Sequence, residues 1–252
     1  MIYSDVSGSI EELIESHGKP GKDIYLDSEN SGFVFPESLE AMIGAYKAAG
    51  RGHPSITHRV GWETYEALYK ANSTIAEALN CRPEEIIYTH SGTEANNIAI
   101  LGLAKSVRGQ TKILISSIEH LSVIFPAEQL QEQGFKVVKI PVDREGFVDL
   151  EFLADHLDRE TLLVSVAAVN HEIGVIQDIK AIGEVVKDKD QNIKFHVDAC
   201  DALGRIPFDL GKLNVDLASF SSHKVYGPKG AGALYVKAVS YTHLRAHETV
   251  LD

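Results

Sequence analysis

Short apolar runs alternate along most of this chain with stretches whose apolar residues recur every three or four positions. The runs are EIIYTH at 85–90, KILISS at 112–117, KVVKIP at 136–141, TLLVSVAAV at 161–169, IKFHVD at 193–198, VDLASFS at 215–221 and GALYVK at 232–237. Between them the longer period predicts helices near 94–107, 121–133, 149–157 and 178–189. Strands separated by helices of this length form a mostly parallel sheet covered on both faces, here a three-layer α/β/α arrangement around seven strands. The last run follows its predecessor through a Gly-rich turn with no helix between them, which makes it the candidate for an antiparallel strand.

Upstream, PESLEAMIGAYKAA reads as an amphipathic helix from Pro36, stopped by Gly50 to Pro54, and a second helix runs from about Gly61 to Leu79. Residues 1–36 read as an arm, with a short polar helix around Ile10 to Ser16, a Gly/Pro break at Gly18 to Gly21 and a strand-like IYLD at 24–27. Residues 37–237 form the main domain. The tail AVSYTHLRAHETVLD continues no pattern and resembles translated adapter or vector sequence, so residues 238–252 are expected to be non-native.

Composition narrows the functional classes. Apolar content of 44% with 24% charged residues, over 252 positions, is that of a globular protein with one sizeable core. A net charge of -12 argues against nucleic acid as the main partner. No run approaches the roughly 18 apolar residues of a membrane span, and the N-terminus lacks a signal-peptide pattern, so no membrane partner and a cytoplasmic location are expected. Cys81 and Cys200 are too few for a disulfide framework and lack zinc-ligand spacing, so no metal site is expected.

The candidate chemistry lies where strands end. Asp198 closes KFHVD, and Lys224 follows the next strand in SFSSHKVYGPKG. Ligands of open α/β sheets collect outside the carboxyl ends of strands. A lysine and an acid converging there suit pyridoxal 5'-phosphate (PLP): the amine forms a Schiff base and the acid keeps the pyridine nitrogen protonated. Read alone, Lys224 has the weaker alternative of a surface lysine, and Asp198 is as readily an N-cap for the following ALGR stretch. THSGTEANN sets Gly92 and Thr93 at a helix start that suits a phosphate, although Ser-x-x-Glu is also ordinary capping. His120 opens another helix, where it either lies on the cofactor ring and moves protons or is a satisfied N-terminal histidine. Asn170, His171 and Glu172 follow the fourth strand, placed for a ring hydroxyl or a substrate carboxylate, while Ser221 and His223 flank the lysine near the same phosphate. No strand runs into G-x-G-x-x-G, and GPKGAG precedes a strand, which disfavours nicotinamide and P-loop readings.

Together these segments resemble the class V aminotransferases, most closely the NifS/IscS-like cysteine desulfurases. The likeness covers roughly residues 24–237 through YLD, GHPSITHRVGWE, SGTEANN, EHLSV, DREGFVDL, VNHEIGVIQDI, HVDACDALGRIPFDL and SFSSHKVYGPKGAGALYV. It implies the large domain of PLP-dependent fold type I, a homodimer, cysteine as substrate, alanine as product and a sulfur-acceptor protein as partner. Residue by residue, it implies Lys224 as the Schiff-base lysine, Asp198 as the pyridinium partner, His120 as the ring-stacking histidine, and Gly92, Thr93, Ser221 and His223 as phosphate contacts.

The chain departs from the pattern at several positions. Asp201 stands where the family has a glutamine on the ring hydroxyl, and His171 where it has a second asparagine. An acid there would repel a phenolate, so Asp201 is protonated, His171 is cationic, or the two pair. Asn30-Ser31-Gly32 replaces Ala-Thr-Thr near the substrate pocket, and GHPS replaces GNPS. The resemblance also places a nucleophilic loop cysteine and a carboxylate-binding arginine in a small domain that is largely missing, and neither Cys81 nor Cys200 lies at the cysteine's position. Expectation therefore divides between a cysteine desulfurase-like enzyme truncated after its large domain, another class V reaction such as transamination or cysteine/selenocysteine lysis, and an inactive PLP-binding fragment.

Overall fold

The computed structural model describes residues 25–48, 52–54, 57–106 and 109–238. The helix expected at 10–16 and the tail after Ala238 lie outside the described residues. The described chain divides into two compact units, one holding the residues up to Ala71 with Ser222–Gly230, the other holding Asn72–Ser221 and the residues from Ala231.

The larger unit is built on β1 (Ile86–Thr89), β2 (Lys112–Ser116), β3 (Lys136–Ile140), β4 (Thr161–Ala167), β5 (Lys194–Asp198), β6 (Leu217–Ser221) and β7 (Gly232–Val236). They form one sheet in the order β1-β7-β6-β5-β4-β2-β3. Only β7 is reversed, pairing antiparallel with β1 and β6, as the helix-free Gly-rich connection implied. The remaining ladders are parallel, so β1, β4, β5 and β6 finish on the same edge.

Alternation along the buried strands feeds two cores. Leu114, Val164, Phe195, Val197 and Phe220 face one side, where helices Leu150–His156 and Ile179–Lys189 supply Leu153, Ile182 and Val186. Ile113, Ile115, Leu217 and Leu234 face the other, under Ala95, Ile100, Leu103 and Val123. Those last residues come from a helical stretch running Gly92–Asn97, a π segment Ile98–Gly102 and Leu103–Ser106, and from helix Leu121–Glu132. The result is the expected three-layer α/β/α arrangement.

A buried ion pair fixes the amino ends of the central strands. Lys187 Nζ lies 2.5 Å from Asp216 Oδ2 and also donates to the carbonyl of Ile193 at 2.6 Å, while Asp216 accepts from the N–H of Phe195 at 2.9 Å.

In the smaller unit, helix Pro36–Ala48 starts with proline in its first turn, where a missing N–H costs nothing. The strand expected at IYLD is absent from its described part. Tyr25 Oη instead donates to the carbonyls of Asp27 and Ser31, and Asn30 Nδ2 donates to Asp27 Oδ1, so local turn bonds replace a ladder. This segment packs on the lysine-bearing loop: Phe35 N–H donates to the carbonyl of Tyr226 at 2.9 Å, and the two rings stack with centroids 4.4 Å apart. Gly32 is required there, because a Cβ would stand 2.6 Å from the His223 carbonyl oxygen.

Candidate active site

Period-two alternation puts His196, Asp198, Ser219 and Ser221 on the sheet face that carries the Gly92 and Leu121 helices. Toward the carboxyl ends this face changes from apolar to polar. Asp198 is buried, and both its oxygens are held: Oδ1 accepts from the N–H of Cys200 at 3.0 Å and Oδ2 from Asn96 Nδ2 at 2.7 Å. The residues after it form turns rather than a helix, so the acid caps a turn.

Asn96 Nδ2 also lies 2.8 Å from Ser122 Oγ, and Ser122 Oγ lies 2.7 Å from His120 Nδ1. His120 is the N-cap of its helix, accepting from the N–H of Ser122 at 3.0 Å. The capping reading of His120 is therefore met. His171 packs edge-on against it, with centroids 5.0 Å apart and planes at 73°. His171 Nε2 also stands 3.9 Å from Glu172 Oε1.

Two buried titratable groups lie behind this layer. Glu119 Oε1 accepts from Ser116 Oγ at 2.5 Å and from the N–H of Ala167 at 2.8 Å. Burial pushes its carboxyl up to about 8, against those two bonds and with help from the Asp198 charge, so it is mainly protonated at neutral pH. His196 bridges Ser165 Oγ at 2.8 Å and Ser219 Oγ at 2.9 Å. Burial lowers it to about 4, partly offset by Asp198, and it stays neutral.

Gly92 and Thr93 begin the helix that Ser91 caps, its Oγ accepting from the N–H of Glu94 at 3.1 Å, while Glu94 Oε2 takes the N–H of His90. The Ser-x-x-Glu pattern does act as a cap. A Cβ at Gly92 would collide with Cys200 Sγ and stand 3.2 Å from Ser221 Cβ, so glycine lets the helix start sit against the ends of β5 and β6. Thr93 is exposed. Asp201 is ion-paired with Arg205, Nη1 to Oδ1 at 2.6 Å, one turn further along. That guanidinium supplies a compensation for the acid that was not among the three expected from the sequence.

β6 ends at Ser221, and the chain then enters the smaller unit through the 3₁₀ turn Ser222–Val225. Within that unit Lys224 Nζ lies 2.8 Å from Glu29 Oε1. The turn is closed by the Gly227 N–H to the Ser222 carbonyl at 2.9 Å, by Ser222 Oγ to the Pro228 carbonyl at 2.6 Å, and by Tyr226 at φ 60°. His223 sits in the same turn.

The sequence reading missed Asn96, Ser122, Glu119, His196, Arg205 and Glu29. Two of them carried a signal: Asn96 is polar inside an Ala/Ile-rich helix, and His196 shares a face with Asp198 by simple alternation.

The pattern of the aminotransferase class-V family matches residues 24–248. A mitochondrial cysteine desulfurase of Candida maltosa is 43% identical over 215 residues, which are 85% of this chain and 44% of that protein. The cysteine desulfurase IscS of Pectobacterium carotovorum is 43% identical over 226 residues, 88% of this chain and 55% of that protein. Among solved structures, a NifS-like protein superposes with a TM-score of 0.81 at 38% identity, covering 85% of this chain and 59% of that one. The chain thus spans about half the length of the curated relatives it matches. With the family pattern matched across most of its length and strands in the order β1-β7-β6-β5-β4-β2-β3, the chain belongs to the class-V aminotransferases.

Proposed function

We propose that this chain carries the PLP-binding part of a cysteine desulfurase-like enzyme that takes cysteine to alanine and passes sulfur to an enzyme cysteine. The observation carrying this reading is Asp198, a buried carboxylate at a strand's carboxyl end whose oxygens are both aligned by N–H donors. Family membership implies PLP, and the residues present fit it. An aligned carboxylate suits a protonated ring nitrogen, and Asn96 Oδ1 beside it is a buried acceptor with no partner.

When bound, PLP supplies an electron sink for the bonds at a substrate's α-carbon. Asp198 holds a proton at the ring nitrogen. Lys224 would provide the amine for covalent attachment once its ion pair with Glu29 is released. Lys224 or His120 would move the α-proton. Gly92, Thr93, Ser221 and His223 would hold the phosphate, and Arg205 would offset the Asp201 charge beside an anionic ring oxygen. A homodimer and a sulfur-acceptor protein belong to the same proposal.

A different class V reaction is the second reading, favoured by the Asp201–Arg205 pair at the position the resemblance gives to an uncharged side chain. Purified protein with PLP and cysteine separates them. Alanine with sulfide supports desulfuration, whereas pyruvate with ammonia supports elimination. No yellow colour on adding PLP, or colour unchanged in Lys224→Ala, would refute both.

A further inference from the structure

Every hydrogen bond in the chain from Asp198 to His120 has a direction fixed by chemistry. The N–H of Ser122 donates to His120 Nδ1 at 3.0 Å, and a backbone N–H cannot accept, so that nitrogen presents a lone pair. Ser122 Oγ, 2.7 Å from the same nitrogen, therefore donates to it as well. Having spent its proton, this hydroxyl accepts from Asn96 Nδ2 at 2.8 Å. The other N–H of the Asn96 amide goes to Asp198 Oδ2 at 2.7 Å. The amide cannot be turned over, because Oδ1 would then face a carboxylate oxygen.

We infer that Ser122 and Asn96 are positioning residues that hold His120 as the neutral tautomer protonated on Nε2, making it a hydrogen-bond donor there. A neutral imidazole carries one proton, and with Nδ1 engaged as an acceptor that proton resides on Nε2. Taking up a second proton at Nδ1 would set a ring N–H against the N–H of Ser122. Releasing the Nε2 proton would leave an imidazolate. His120 thus orients or polarises what lies at Nε2, and Asp198 anchors the far end of the network. The inference rests on the proposed function for its role in the reaction, but the tautomer is a property of the protein without cofactor.

The test is imidazole ¹⁵N–¹H correlation of ¹⁵N-histidine-labelled, cofactor-free protein at pH 8, with the His120 signals identified by their loss in His120→Gln. The expected result is one tautomer, Nε2 protonated and Nδ1 unprotonated. Ser122→Ala and Asn96→Leu are expected to bring in the second tautomer, and Ser122→Thr, which keeps the hydroxyl, to retain the first. A wild-type ring protonated on Nδ1, or mixed, would overturn the inference, as would a Ser122→Ala spectrum unchanged from wild type. Should Ser122→Ala not fold, the wild-type and Ser122→Thr spectra still decide. A protein that shows the tautomer but takes up no PLP counts against the cofactor reading alone.

Discussion

The larger unit buries polar side chains at both ends of its central strands, and the two ends are built on opposite rules. At the amino ends, Lys187 and Asp216 meet as opposite charges and use neighbouring backbone groups to complete their bonding. Burial lowers the Lys187 pKa, and the Asp216 charge offsets that only in part. At the carboxyl ends, two carboxyls lie close enough to repel, His196 is kept neutral, and Asn96 Oδ1 and Glu119 Oε2 are buried without partners. Completed pairing is what a structural staple needs. Incomplete pairing costs stability and persists where a ligand or reaction uses the groups.

The strongest way to break this contrast is to halve the staple. Asp216→Ala leaves the Lys187 charge buried and is expected to cost about 3–5 kcal/mol in urea unfolding. Lys187→Met combined with Asp216→Leu should recover most of that loss, because apolar packing replaces a desolvated pair.

The pH dependence sharpens the other end. Glu119 has a folded pKa of about 8, above its ordinary 4.5, so its stabilising neutral form is lost as pH rises through 8. His196 has a folded pKa of about 4, below its ordinary 6.5, so its contribution is present above 6.5 and lost as pH falls through 4. The two slopes oppose each other below 6.5. Between 6.5 and 8 only the Glu119 slope remains, falling by at most about 1.4 kcal/mol per pH unit. Urea titrations should show that decline in the wild type and a flat profile in Glu119→Gln.

Smaller changes separate function from stability. Asn96→Ala removes two donated bonds but also a buried acceptor without a partner, so its stability cost is expected to be about 1 kcal/mol or less. Its PLP dissociation constant should nevertheless rise by about tenfold, the equivalent of roughly 1.4 kcal/mol. Glu29→Gln should change unfolding by at most about 1 kcal/mol and speed PLP attachment to Lys224 by at most about fivefold, since the Glu29 side chain is itself well exposed.

The layers were legible because strand and helix periods differ: KILIS and LASFS are continuously buried, and GALYV was marked as reversed by the turn before it. Asp198, His120 and Gly92 were legible as candidates because strand ends announce themselves. The network joining the first two was not, since Asn96 meets Asp198 across 102 positions and Ser122 across 26, distances at which a single sequence carries no pairing signal. Arg205 sits only four residues after Asp201, but in turns rather than the helix whose spacing would have predicted the pair. The described residues of IYLD, 25–27, form no strand because the Tyr25 hydroxyl and the Asp27 carboxylate bond within their own turn.

The most direct test of the central claim is reductive trapping. Protein mixed with PLP, reduced with borohydride and mapped by mass spectrometry is predicted to carry one cofactor adduct, on Lys224. An adduct spread over surface lysines such as Lys229, or none at all, would contradict the account.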